Sequence, residues 1–436
     1  MLSVTTGGRG VVAHAGARLL CDLADDLGLS DGLSAAMAPT KRRRRGHDRG
    51  EVLVDLAVAI ADGATTISDL KVLADQPALF GEVASVPTAW RTLESVDEAA
   101  LERIARARAN ARRAAWEAGM DPGFYVIDID GTLVGSHSEK EGAAANYKHG
   151  FGFYPLMAYL DATGEPLAGL LRPGNAGSGT AADHVTVLDA SLFQLPLDPR
   201  RAEVIVRADS AGCSHEFLDA CAERGVRFVV GHNLSGQIAA VLMSLPASTW
   251  VAAISADGSE ERDHAQVTEV TDLVDLSAWP EGTRMIARRE EAHPGAQLTF
   301  TDIDGHRYQV FITDHLETDI CFLEAVYRGR GRCERAICDS KDTGLDNLPS
   351  ASFAINTAWL AEVLIAGDLL AWMKGLCLKG ELAHAEPKRL RYALLHSAGV
   401  IVRSARRTTL RIAQGWPWAE QLVAAFARLP SWQLVT

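Results

Sequence analysis

The segment VIDIDGTLV at residues 126–134 separates two regions of this 436-residue sequence that differ in their patterns of apolar residues. An apolar run that ends in two aspartates predicts a buried strand with carboxylates at its end. Residues 1–118 carry helical patterns and no strand signal. After the segment, residues 161–164 form a hairpin-type turn between two strand patterns, and strands then alternate with helices. This order predicts an α/β core that begins with antiparallel strands.

Residues 233–318 show a different pattern of apolar residues. Short strand patterns separated by turn residues occur at residues 250–254, 284–287, 297–300 and 308–312. They predict a small antiparallel β unit inserted into the core. The sequence TDIDGH at residues 301–306 superficially repeats the earlier Asp-x-Asp-Gly, but between two strands it predicts a hairpin turn. From about residue 320 the patterns are mostly helical.

The composition, 47% hydrophobic and 23% charged, is that of an ordinary globular protein and excludes a wholly disordered or collagen-like chain. The best apolar run, residues 359–373, is interrupted by Glu362 and Asp368, so we expect no membrane span. The N-terminus carries no pattern of a secretion signal. We therefore expect a cytoplasmic protein.

The net charge of −13 is unevenly distributed. Residues 210–326 carry a net −12, whereas residues 386–436 carry +6 and the run KRRRR at residues 41–45 adds a second basic site. A helix at residues 102–118 carries five further arginines, which are Arg103, Arg106, Arg108, Arg112 and Arg113. This pattern is equally compatible with a helix-turn-helix DNA-binding module and with a solvated arginine face. Basic ends around an acidic middle remain able to bind DNA.

The segment at residues 126–134 resembles the opening motif of haloacid-dehalogenase-type phosphatases. That resemblance implies Asp128 as nucleophile and Asp130 as general acid. The rest of the family's pattern is weak here, because the nearest match to its later acidic pair, at residues 367–372, lacks the second acid. A helical region of more than a hundred residues also precedes the motif. A phosphatase is therefore the enzymatic alternative.

A second pattern, Tyr-x2-Arg-x3-Glu-x6-Lys, is formed by Tyr327, Arg330, Glu334 and Lys341. It resembles the signature around the last acid of DDE insertion-sequence transposases, in the branch with a ribonuclease-H-like core. In that branch the first acid stands in an Asp-x-Thr context, as in DGT at residues 130–132. The second acid often stands in Arg-Ala-Asp-Ser, which is found at residues 207–210, and a β-rich insertion follows it. The two acid motifs, the strand-rich segment and the Tyr-Arg-Glu-Lys pattern occur in the same order as in that family, between residues 120 and 345.

The resemblance implies that Asp130, Asp209 and Glu334 are the catalytic acids and hold two Mg²⁺ ions, for which Mn²⁺ would substitute. Two such ions roughly 3.5–4 Å apart can activate an attacking oxygen and stabilise a leaving one. A lone aspartate after a strand more often forms a turn or caps a helix. Three acids in the expected order favour the metal site. The role of Asp128 stays open.

The resemblance also implies that Tyr327, Arg330 and Lys341 contact DNA phosphates beside the scissile bond. The alternative is an ion pair between Arg330 and Glu334 on the surface of one helix. Trp250 and Trp279 lie in the predicted insertion, where a tryptophan can stack on a flipped base or belong to the core.

Together these observations predict an α/β ribonuclease-H-like catalytic core interrupted by an antiparallel β insertion. The expected parts are a helical DNA-binding region at residues 1–118 and the first part of the core at residues 119–232. The insertion follows at residues 233–318, and residues 319–436 complete the core with the helix of the catalytic glutamate and basic C-terminal helices. The implied function is cleavage and strand transfer at the terminal inverted repeats of an insertion sequence. The implied partners are double-stranded DNA, both repeats and target, and a second copy in a homodimeric synaptic complex close to the nucleoid. A transposase remnant that only binds DNA is the non-enzymatic alternative.

Overall fold

The computed structural model describes residues 2–3, 7–41, 46–255, 257–291, 302–303, 305–404 and 407–429. The strands are β1 Val11–Val12, β2 Tyr125–Gly131, β3 Val134–Gly135, β4 Ala144–Ala145, β5 Phe151–Phe153, β6 Leu156–Leu160, β7 Pro166–Leu170, β8 Val204–Ala208, β9 Arg227–His232, β10 Val251–Ile254, β11 Glu261–Glu269, β12 Arg284–Glu291, β13 Asp302–Ile303, β14 His306–Thr313, β15 Gly399–Ser404 and β16 Arg407–Ile412. The helices are α1 Arg18–Asp26, α2 Leu29–Met37, α3 Arg49–Ala61, α4 Lys71–Ala74, α5 Pro77–Phe80, α6 Val86–Leu93, α7 Glu98–Ala115, α8 Ala181–Gln194, α9 His215–Arg224, α10 Gly236–Ser244, α11 Ile320–Arg328, α12 Gly331–Ser340, α13 Phe353–Trp372, α14 Pro387–Leu390 and α15 Ala419–Phe426.

A large mixed sheet forms the centre of the protein, in the order β10-β11-β12-β14-β9-β8-β2-β6-β7, with β13 beside β14. β2, β8 and β9 run parallel, whereas β6 and β7 are antiparallel to their neighbours. The predicted α/β character and the antiparallel start are therefore confirmed. Because β2 and β8 are covered on both faces, most of their residues are apolar on both faces rather than on alternating positions, and the charged Asp128 and Arg207 are buried as a pair. On one face Val126, Ile205 and Val229 pack against Leu323 and Val326 of α11.

The strands of residues 251–313 continue the central sheet instead of forming a separate unit. β14 pairs antiparallel with β9, with Phe311 opposite Gly231, and β12, β11 and β10 follow in antiparallel order. The sequence predicted the antiparallel strands but not this continuity, which the free edge of β9 makes possible. β13 pairs antiparallel with β14, with Ile303 opposite His306, as the predicted hairpin requires. The strand pattern at residues 297–300 lies outside the described residues.

One short pairing joins the N-terminal and C-terminal regions, and a hairpin lies beside it; the sequence predicted neither. Val11 and Val12 of β1 pair with Val400 and Gly399 of β15, and β15 forms a hairpin with β16. The expectation of no strand in residues 1–118 was therefore wrong at β1, and the mostly helical region after residue 320 also contains β15 and β16. A strand of two residues has no periodicity of its own, so only its tertiary partner defines it.

The N-terminal helices α1–α7 pack on each other and, through α3 and α7, on α13. α7 begins where the side chain of Asp97 accepts a hydrogen bond from the N–H of Ala100 at 2.8 Å, a typical N-terminal cap. Two of its arginines, Arg108 and Arg112, are buried and not on a solvent or DNA face. The interpretation of the whole arginine row as one exposed surface was wrong for these two residues.

Arg112 is at the centre of a buried polar network. Its Nε donates to Oε1 of Glu165 at 3.0 Å, and its Nη2 donates to Oδ1 of Asp368 at 2.5 Å. Arg108 donates to the other oxygen of Asp368 at 2.7 Å, and Gln194 accepts a further hydrogen bond from Arg112. Two positive and two negative charges therefore balance each other away from water. The network joins α7 to α8, to α13 and to the turn before β7.

Within the described part of the chain, one helix, Phe353–Cys377, is long and apolar enough by length and composition to cross a membrane. Two thirds of its most apolar window is buried inside the protein. Its two acids, Glu362 and Asp368, are buried as well, and Asp368 pairs with the arginines of α7. These contacts are those of a core helix in a folded domain.

Glu362 makes a testable contribution to the pH dependence of stability. Among the described residues, its Oε2 atom has no hydrogen-bond partner, and burial raises its pKa well above the ordinary value. A carboxyl whose pKa is raised in the folded state contributes its full stability below its pKa in the unfolded state. This contribution is lost as the pH rises through its pKa in the folded state, and the free energy of unfolding falls by about 1.4 kcal/mol per pH unit. In thermal unfolding from pH 5 to pH 9, Glu362→Gln should therefore become progressively more stable than the wild type.

The exposed Glu381 provides the control for this measurement, because Glu381→Gln changes the same chemical group in water. It should follow the wild-type profile. If Glu362→Gln also follows it, Glu362 does not titrate in this range and the argument from its burial fails.

Candidate active site

Asp130 and Asp209 lie side by side at one edge of the central sheet. β2 and β8 are parallel, and Ile129 opposite Ala208 is the last registered pair between them. The next residue of each chain segment is an aspartate, so parallel pairing brings the two carboxylates together. The side chain of Asp130 is 16% exposed and that of Asp209 is 41% exposed. The structure thus joins two acids that are distant in sequence.

The guanidinium of Arg330 lies between these carboxylates. Its Nη2 donates to Oδ2 of Asp130 at 2.8 Å and is 3.7 Å from Oδ2 of Asp209. The other oxygens are used locally, since Asp130 Oδ1 accepts from the N–H of Gly131 and Asp209 Oδ1 accepts from that of Ala211. Arg330 therefore supplies positive charge where two acids would otherwise repel each other.

Glu334 is the third acid near this position. It projects from α12, which packs against β2 and β6, and its side chain is exposed. Burial raises the pKa of Asp130 to about 6, Arg330 opposes the shift, and the charges of Asp209 and Glu334 add to it. Three carboxylates from β2, from the end of β8 and from α12 thus influence one another electrostatically.

The signature residues are divided between two helices rather than carried on one. α11 ends at Arg328 and α12 begins at Gly331, so Arg330 lies in the connection. Glycine has low helix propensity, which favours the break. A Cβ at Gly329 would lie 2.4 Å from Nη1 of Arg207, so glycine also permits the close approach of that arginine.

Contacts with neighbouring elements hold Tyr327 and Lys341 in place. The ring of Tyr327 stacks on Phe311 with centroids 4.6 Å apart, and a Cβ at Gly231 would lie 2.6 Å from its hydroxyl. Nζ of Lys341 donates to the carbonyl oxygen of Leu133 at 2.8 Å and so ties the end of α12 to the segment after β2. Their contacts with DNA remain predictions.

Asp128 lies two residues before Asp130 on the same face of β2, but it forms a buried ion pair. Nε and Nη2 of Arg207 donate to its two oxygens at 2.7 and 2.6 Å, and both side chains are 1% exposed. Arg207 also lies 3.1 Å from Asp161, which in turn accepts hydrogen bonds from Arg332. A carboxylate held in this way on both oxygens is not available as a nucleophile. The phosphatase interpretation is therefore not favoured.

The sequence analysis used Arg207 only as context for Asp209 and missed its partner. A signal was present, because an arginine inside an apolar strand must find a buried acid. The parallel register places Asp128 directly opposite Arg207.

The two tryptophans of residues 233–318 have different surroundings. Trp250 is 5% exposed and packs against Tyr308 and the guanidinium of Arg289, which are the surroundings of a core residue. Trp279 is partly exposed and stacks on His215 with ring centroids 4.0 Å apart.

The donor set of Asp130, Asp209 and Glu334 fits Mg²⁺ or Mn²⁺. Both ions prefer carboxylate and water oxygens, and all three side chains offer such oxygens from separate elements. Arg330 already places a cation between two of them. Two acids at the ends of neighbouring strands and a third on an adjacent helix form an arrangement suited to metal-dependent phosphoryl transfer.

Comparison with known proteins agrees with this class of enzyme. The family described as "Transposase DDE domain group 1" matches residues 1–434, and the chain belongs to this family. Transposases of the DDE class use divalent metal ions and catalyse DNA transposition. A search of curated proteins finds no match.

Among solved structures, the chain is similar to a piggyBac transposase seen by cryo-electron microscopy in a synaptic complex with hairpin DNA. The sequences are 11% identical, the TM-score is 0.44, and the match covers 87% of this chain and 80% of that one.

Proposed function

We propose that this transposase cuts the ends of its own insertion sequence and joins them to target DNA, using a ribonuclease-H-like core. The proposed core comprises β2, β6, β7, β8 and β9 with their helices. Across the sheet these strands lie in the order β7-β6-β2-β8-β9. β6 is antiparallel to β2 and to β7, whereas β8 and β9 run parallel to β2. This order supports the assignment, with acids on β2 and after β8, its first and fourth strands along the chain.

The observation that carries the proposal is the grouping of Asp130 and Asp209 around Arg330, with Glu334 near enough to Asp130 to act on its pKa. These residues would hold Mg²⁺, which when bound activates the attacking oxygen and stabilises the leaving oxygen of an in-line displacement. Water would attack first at the end of the element, and the freed 3′-hydroxyl would then attack the target strand.

The side chains around the acids are suited to positioning DNA. Arg330 is 21% exposed, and a guanidinium released from Asp130 can bind a phosphate through two N–H groups. Tyr327 and Lys341 are proposed to contact the same strand. Residues 1–118 and the basic C-terminal region are proposed to bind the terminal repeats, and pairing of two ends would require a dimer. Such binding should weaken steeply as salt concentration rises.

The test is cleavage of an end-labelled duplex that carries the terminus of the element, by purified protein with Mg²⁺. The wild type should cut at the terminus, whereas Glu334→Gln should bind the same duplex and cut at least about 10²-fold more slowly, because each 1.4 kcal/mol of lost stabilisation is a factor of ten. Equal cleavage by both would remove Glu334 from the mechanism. Binding without cleavage by the wild type, with either Mg²⁺ or Mn²⁺, would identify a remnant that only binds DNA.

A further inference from the structure

Three side chains that are far apart in sequence meet where the two ends of the chain pair. His14 follows β1, Asp62 follows α3, and His396 precedes β15. One potential ligand atom from each residue, two imidazole nitrogens and a carboxylate oxygen, lies within 4.8 Å of both others. This cluster uses none of the elements that carry Asp130, Asp209 and Glu334.

The distances within the cluster are close to those of a metal site. Nδ1 of His14 is 2.5 Å from Oδ2 of Asp62, and Nε2 of His396 is 3.3 Å from Oδ1. Ligand atoms around a tetrahedral Zn²⁺ with bonds of 2.0–2.1 Å are separated by about 3.3 Å. The two carboxylate–histidine separations therefore differ from coordinating separation by less than about 1 Å.

Two features of the cluster are unexplained by hydrogen bonding alone. The side chain of Asp62 is 4% exposed, and its Oδ1 has no hydrogen bond of good geometry within the described ranges, although Nε2 of His396 lies 3.3 Å away. Such a buried oxygen costs free energy unless a cation or donor satisfies it. His14 also adopts the left-handed conformation, with φ of 54°, which is uncommon for a residue other than glycine and costs free energy. The ring of His14 lies against Asp62, with Nδ1 at 2.5 Å from Oδ2.

We propose that His14, Asp62 and His396 bind one Zn²⁺ ion. Two imidazoles and one carboxylate are a donor set that Zn²⁺ takes, with a water molecule completing the tetrahedron. A single carboxylate is a poor site for Mg²⁺, which prefers oxygen ligands. Nε2 of His396, which donates to the carbonyl oxygen of Asp62 at 2.8 Å, would exchange that hydrogen bond and its proton for the metal.

The ion would stabilise the contact between the N-terminal and C-terminal segments. The N–H of Ala15 donates to the carbonyl oxygen of Ser397 at 2.9 Å, and β1 and β15 share only two registered residue pairs. So short a pairing is weak by itself. Zn²⁺ held by residues from both ends and from α3 would stabilise this junction.

The experiment uses the full chain, without a histidine tag and stripped by a chelator, titrated with Zn²⁺ in excess Mg²⁺ so that carboxylate sites are filled. We expect one Zn²⁺ per chain by calorimetry and a rise in Tm on addition of Zn²⁺. His14→Asn and His396→Asn should each lower the affinity at least about 100-fold and abolish the rise in Tm. Asparagine tolerates the left-handed backbone of residue 14, so the first variant removes the ligand without adding strain.

His149→Asn is the matched control, because His149 is also left-handed, with φ of 62°, but lies outside the cluster. It should bind Zn²⁺ as the wild type does. The proposal is overturned if the wild type does not bind Zn²⁺, or if His14→Asn and His396→Asn bind it as tightly as His149→Asn. The assay contains no DNA, so its outcome does not depend on the proposed transposition chemistry.

Discussion

Asp130→Asn should slow cleavage of the element's end by about 10³-fold while leaving the fold intact, since losing a metal ligand removes several kcal/mol of transition-state stabilisation. The fold should survive because asparagine keeps an oxygen for the N–H of Gly131, and because burial already disfavours the charged form of Asp130. Cleavage of a labelled terminal duplex, with circular dichroism and thermal unfolding on the same preparations, measures both parts. Wild-type cleavage by Asp130→Asn would exclude this residue as the first catalytic acid.

Asp128→Asn is the matched comparison, two residues earlier in the same strand. There the new amide N–H₂ would face a donor of Arg207 and leave a buried guanidinium without its bidentate partner. We expect a loss of about 3–5 kcal/mol in the free energy of unfolding. The opposite pattern, with Asp128→Asn folded but inactive and Asp130→Asn active, would restore the phosphatase interpretation.

Arg112→Met should lower the free energy of unfolding by about 3–5 kcal/mol, because it leaves Glu165 and Asp368 buried with half of their positive charge. Arg108 alone cannot replace the hydrogen bonds to Glu165 and Gln194. The midpoint and slope of urea unfolding measure the loss.

Arg113→Met provides the control, since Arg113 is the next residue of α7 and is exposed. It should change stability by no more than about 0.5 kcal/mol. Equal effects of the two substitutions would show that the loss arises from the helix itself and not from the buried network.

Local sequence was enough to predict the elements that build the site. Apart from Asp128 and Arg207, the strands before Asp130 and Asp209 are apolar and do not alternate with polar residues, so both were predicted to be buried strands. The spacing from Tyr327 to Lys341 likewise identified the neighbourhood of Glu334. It did not reveal that this neighbourhood is two helices separated at Gly329.

The role of the arginines could not be predicted, because a charged residue on a helix is compatible with solvent, DNA or a buried partner. Arg112 and Arg113 are adjacent and chemically identical, yet one is buried and the other is exposed. Their difference depends on Glu165 and Asp368, which lie 53 and 256 positions away from Arg112. A window of local sequence contains no information about such partners.

The sequence by itself determined the buried strands, the helical character of most of residues 1–118 and the acids at the ends of two strands, because these depend on the order of apolar and polar residues within one segment. Only the tertiary structure decided that residues 251–313 extend the central sheet, that Asp128 is paired with Arg207, and that His14 meets His396. The physical reason is that these features depend on which distant segment fills a sheet edge or balances a buried charge. That choice is made by the packing of the whole chain.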